Sequence, residues 1–121
     1  MLEKLSESLG SVVGYKVVGK VTEADYQELE PEIQSLVDEY DDDVCILLDL
    51  QEFAGEEANS WLSDLKFGHR FHDKIAKMAI IGDKRWQKWI AALADPFYAK
   101  DAEFFHPDES DQAWAWLRGS D

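Results

Sequence analysis

His69, His72 and Asp73 come nearest to a reactive set in this chain. Two imidazoles three residues apart share one face of a helix, where they can hold a divalent metal or divide acid and base roles. No cysteine pair completes such a ligand set, and the neighbouring Lys66, Arg70 and Lys74 repel a cation. Core packing with one ring nitrogen bonded accounts for the pair better. Asp49 and Asp83 form a second candidate, because each falls near the carboxyl end of an expected strand, where open α/β sheets bind ligands. Helix capping and turn bonding explain both without a ligand. Gly82 follows Ile80-Ile81 as a phosphate-loop glycine would, yet neither a Gly-rich run nor Gly-Lys-Ser/Thr comes after it. There is no Gly-x-Ser-x-Gly elbow and no Cys-His arrangement for nucleophilic attack. The sequence therefore predicts no catalytic residue, no metal and no cofactor, and an enzyme is the least favoured class.

The elements around these residues follow from hydrophobic period. Glu3–Ser8 and Val12–Val18 read as strands joined by a turn at Gly10-Ser11, a connection short enough to force antiparallel pairing. Thr22 and Asp25 have the spacing of a capping box, and Tyr26, Leu29, Ile33, Leu36, Val37 and Tyr40 recur at helical spacing behind them. Pro31 interrupts that stripe and predicts a kink or a restart after Glu30. Val44–Leu50 is a buried strand, and a helix is expected from about Glu56 to Asp73. Met78–Ile81 is the next strand, followed by a helix over 84–94. At about 100° per residue, Trp86, Trp89, Ile90, Leu93 and Phe97 share one arc of that helix, and Lys84, Arg85 and Lys88 lie outside it. Ala102–Phe105 makes a last strand, and Pro107-Asp108 opens a last helix with Ala113, Trp114 and Leu117 inward and Gly119 as its stop. Strands alternating with helices imply parallel pairing with right-handed crossovers.

A chain of 121 residues, 45% of them hydrophobic, supports one folded domain spanning 1–121 and is too short for two. No targeting segment or membrane span is expected, since the longest unbroken apolar run is only Trp89–Ala94. The lone Cys45 excludes a disulfide framework and points to a reducing cytoplasm. A net charge of −14 opposes nucleic-acid binding, which requires Lys and Arg to neutralise phosphates. Residues 66–88 break the trend with seven basic side chains against Asp73 and Asp83, so that stretch carries +5 and the remainder −19.

Taken together, Gly19-Lys20-Val21-Thr22 with Asp25-Tyr26, Leu48-Asp49-Leu50, Asp64 with Lys66-Phe67-Gly68, and Ile80-Ile81-Gly82-Asp83-Lys84 with Trp86 and Trp89 resemble the SpoIIAA-like proteins, a STAS/CRAL-TRIO-related group of small bacterial domains. The resemblance covers nearly the whole chain. It implies an α/β fold with a mixed sheet of about five strands, mainly parallel with one antiparallel edge strand, and four helices. It also implies kinship with lipid-binding CRAL-TRIO domains and with anti-sigma-factor antagonists, and no enzymatic activity. The antagonists carry a phosphorylatable serine in the turn after the central strand. Here that region, Asp49 to Glu57, contains no serine, and Glu56 and Glu57 would repel a phosphate.

Two function classes remain. In the first, Trp61, Leu65, Phe67, Phe71, Trp86, Trp89, Ile90 and Leu93 line a pocket for a small hydrophobic or lipid-like ligand. Lys84, Arg85 and Lys88 would then favour an anionic membrane surface, placing the protein on the inner face of the membrane. In the second, the same aromatic surface meets a protein partner or a second copy of the chain, as in an interaction module of STAS type.

Overall fold

The computed structural model describes residues 2–41, 43–56, 74–82 and 101–119. Among them are five strands, β1 (Leu2–Lys4), β2 (Val12–Val21), β3 (Val44–Glu56), β4 (Ile75–Ile81) and β5 (Ala102–Phe105). Two α-helices accompany them, α1 (Glu23–Tyr40) and α2 (Ser110–Leu117), the second preceded by a 3-10 turn at Pro107–Glu109. The strands form one sheet in the order β1-β2-β3-β4-β5, with β1 antiparallel to β2 and the other neighbours parallel. The expected helices over 56–73 and 84–94 lie outside the described residues, except that Glu56 is the last residue of β3 rather than the start of a helix. Among the described residues no helix is long and apolar enough to cross a membrane.

Alternation along the strands builds two cores, one on each face of the sheet. Val13, Tyr15 and Val17 of β2, with Ile46 and Leu50 of β3 and Ile80 of β4, pack under Ile33 and Val37 of α1. Val12, Cys45, Leu47, Ala79 and Ile81 pack on the opposite face against Ala113, Trp114 and Leu117 of α2. The inward residues expected for the last helix are the ones that are buried.

The first hairpin is antiparallel as its short connection requires, but β1 stops at Lys4 instead of reaching Ser8. Ser8 turns back on Leu5 through a backbone bond of 3.1 Å, and its hydroxyl accepts the Gly14 N–H at 2.9 Å. A side chain thus satisfies the donor that a longer β1 would have paired.

The capping box forms as its spacing predicts. The Asp25 N–H donates to Thr22 Oγ1 at 3.2 Å, and the Thr22 N–H donates to Asp25 Oδ2 at 2.9 Å. Thr22→Ala should lower stability by about 1 kcal/mol in urea unfolding, because one orphan N–H of the first turn loses its acceptor. Partial burial is the largest single influence and works against the Asp25 charge, but the Thr22 N–H, the positive N-terminal amine and the Thr22 hydroxyl together outweigh it, and the carboxyl sits below its ordinary range. A depressed carboxyl pKa stabilises the fold above the unfolded value, about 3.9, and that stabilisation is lost as pH falls through the lower folded value.

Pro31 does not restart α1, which runs unbroken from Glu23 to Tyr40. An internal proline costs about 3 kcal/mol through one lost bond and a clash one turn back. Ile33 and Val37 are buried, and Tyr26, Leu29, Leu36 and Tyr40 pack on the same core from both sides of the proline. Each such side chain returns roughly 1.5–3 kcal/mol when fully buried, so the continuous helix wins.

The end of α1 holds a residue in an unusual conformation. Asp41 has φ 58° and ψ −125°, and its N–H still reaches Val37 O at 2.8 Å, while the Asp43 N–H closes a turn onto Tyr40 O at 3.3 Å. A side chain there is strained, whereas glycine adopts such angles freely. Asp41→Gly should raise the free energy of unfolding by about 1 kcal/mol, read as a higher urea midpoint with an unchanged slope.

β3 and β4 both exceed their expected lengths. β2 runs on to Val21 and supplies a ladder partner for β3 as far as Glu56, with register shifts between Lys16 and Val18 and between Gly19 and Lys20. β4 begins at Ile75 because Lys77, a polar interruption in sequence, has a half-buried partner: its Nζ donates to Trp116 O at 2.8 Å and stands 5.2 Å from that indole's centroid.

Candidate functional site

The carboxyl end of the parallel strands is where an open sheet of this kind offers a site, and β3 dominates it. Asp49 was expected at the end of its strand; instead it lies inside β3, level with Ile81, the last residue of β4. Its carboxylate accepts the Gln51 N–H and the Gln51 side-chain amide, each at 3.1 Å. That local bonding satisfies a residue at the first register shift, where β3 carries one residue more than β2. Asp49 is therefore a bulge-forming residue, in line with the turn-bonding explanation. Lys16, opposite Asp49 in register, forms an ion pair with Glu52. Glu52 chiefly, with Asp49 and Glu3, holds the Lys16 ammonium above its ordinary pKa range.

Gly82 is buried, and its N–H donates to Phe105 O at 3.1 Å. That amide continues the β4–β5 pairing and is committed to it, so it does not form part of an anion cradle. His106 is exposed; its backbone N–H donates to Glu109 Oε1 at 2.9 Å, and its ring meets Phe104 edge-on at 5.5 Å. Those contacts fix the entry to α2. Cys45 is buried on the α2 face, and burial, then the Asp43 carboxylate, pushes its thiol pKa up, the opposite of an activated nucleophile. Among the described residues no three His, Cys, Asp or Glu side chains gather as a metal site.

One polar cluster escaped the sequence reading. Tyr15 is 4% exposed, and its hydroxyl, near the Glu32 carboxylate of α1, makes no hydrogen bond. Burial first and Glu32 second drive the phenol pKa up, so Tyr15 stays neutral. Lys4 of β1 stands 2.8 Å from Glu32 Oε1. The cluster joins β1, β2 and α1, and a neutral buried phenol has no role as a base. The signal for it was the alternation Val13-Tyr15-Val17, which puts the tyrosine on an apolar face.

An open cleft of about 470 Å³ lies on the other face between Glu7 and α2, lined by Glu7, Asp111, Trp114, Ala115 and Arg118. Arg118 Nη2 donates to Glu7 O at 2.6 Å, and its guanidinium lies 5.0 Å from the Trp114 ring centroid. This arginine ties the first hairpin to the last helix.

The expected ligand residues Trp61, Leu65, Phe67, Phe71, Trp86, Trp89, Ile90 and Leu93 lie outside the described residues. So do the basic set Lys84, Arg85 and Lys88, the histidine pair His69 and His72, and Asp83.

The order of the sheet and the α1 and α2 faces agree with the resemblance read from sequence, and comparison with known families decides it. The SpoIIAA-like family model matches residues 12–118. The chain belongs to the SpoIIAA-like family. Among solved structures, this SpoIIAA-like chain is similar to an uncharacterized protein with a SpoIIAA-like fold from Shewanella loihica PV-4. The two are 27% identical with a TM-score of 0.71, over 97% of this chain and 90% of the other. It also shares its fold with the anti-sigma factor antagonist SpoIIAA in its unphosphorylated form. That pair has a TM-score of 0.62 and 10% identity, over 98% of this chain and 99% of the other. No curated protein matches the sequence. The five-stranded mixed sheet with one antiparallel pair is thus a SpoIIAA-like fold, and it is the sheet expected from the sequence; of the four expected helices, two are among the described residues.

Proposed function

We propose that this SpoIIAA-like chain is a non-enzymatic protein-interaction module of STAS type, with residues 1–121 forming one domain, and that it works without a phosphoserine switch. The fold shared with an anti-sigma factor antagonist over nearly the whole of both chains supports a module that acts by binding another protein. The observation that carries the second part is β3 itself. Residues 49–56, where the resemblance locates the antagonist's serine turn, are paired strand as far as Glu56 and contain no serine or threonine. A phosphate has no acceptor hydroxyl there, and Glu52 and Glu56 add like charge. In this reading Trp61, Phe67, Phe71, Trp86 and Trp89 supply apolar contacts to the partner, and Lys84, Arg85 and Lys88 a polar rim. The hydrophobic-ligand reading draws no comparable support from the family or the fold.

Native mass spectrometry of the purified protein, before and after organic extraction, separates the two. A defined protein assembly that survives extraction unchanged in mass is the expected result. A stoichiometric apolar molecule removed by extraction would overturn the proposal in favour of ligand binding. Vesicle co-sedimentation at low salt adds a second arm. No binding to anionic vesicles is expected, whereas binding that Lys84, Arg85 and Lys88→Glu abolishes would point to a membrane surface instead.

A further inference from the structure

We draw no further inference here: the strongest candidate, the open cleft between Glu7 and α2 walled by Asp111, Trp114, Ala115 and Arg118, has its guanidinium already held by the Glu7 carbonyl and the Trp114 ring, and nothing in the structure shows what covers it.

Discussion

Trp114→Ala should lower the free energy of unfolding by about 3–5 kcal/mol, the usual loss when a large buried aromatic is truncated in a core. Trp114 is only 5% exposed and is the largest side chain that α2 buries on its face of the sheet. It packs with Val12, Cys45, Leu47, Ala79 and Ile81, which come from three strands, so its removal leaves a cavity that an eight-residue helix cannot collapse to fill. The cation–π contact with Arg118 goes with it, and the tie from Arg118 to Glu7 loses its backing. A domain of this size has roughly 5–15 kcal/mol in all, so the variant should stand near the threshold of folding. Urea unfolding followed by far-ultraviolet circular dichroism measures the change without relying on tryptophan emission. A loss under about 1 kcal/mol would mean that α2 contributes little to this core.

Gly14→Ala should cost about 1–3 kcal/mol in the wild-type background and little or nothing once Trp114 is alanine. A Cβ at Gly14 would lie 2.5 Å from Trp114 Cη2, 2.8 Å from Cζ2 and 3.2 Å from Leu5 Cδ1. The indole is rigid and held on a helix, so either the helix lifts or the strand shifts, and both open the core. Nothing in the backbone demands glycine here, unlike Gly10, Gly19 and Gly119, which have positive φ. Without the indole, alanine should be neutral or slightly stabilising, because it restricts the unfolded chain more than glycine does. The double-mutant cycle reads this directly as a coupling of more than 1 kcal/mol. A Gly14→Ala cost that persists undiminished in the Trp114→Ala background would assign the glycine to backbone conformation rather than to close packing.

The α2 face is closed by a helix seated on a bare strand position, and the opposite face by α1, so both sides of the sheet have their own apolar cover. Along the β3 segment that follows Asp49, the carboxylate of Asp49 is bonded to Gln51 and Glu52 is paired to Lys16.

Whatever depends on near neighbours along the chain is legible in the residues alone. The Thr22–Asp25 cap, the stripe from Tyr26 to Tyr40, the β5 strand at Ala102–Phe105 and the inner face Ala113, Trp114 and Leu117 all rest on contacts within a few residues, where period and spacing carry the information. The antiparallel first pair followed from a connection too short for any crossover, and the family followed from the joint order of its motifs. Whatever depends on distant partners emerges only in the folded chain. β3 continues through the polar Gln51 and Glu52 because β2 is long enough to pair with it, which no local pattern encodes. α1 passes through Pro31 because the core binds both halves of the helix more strongly than the proline disfavours it. Lys77 sits in a buried strand because a helix carbonyl 39 residues away accepts a hydrogen bond from its ammonium. Gly14 must be small because an indole 100 positions later rests on it, and only the folded chain brings those two atoms within reach.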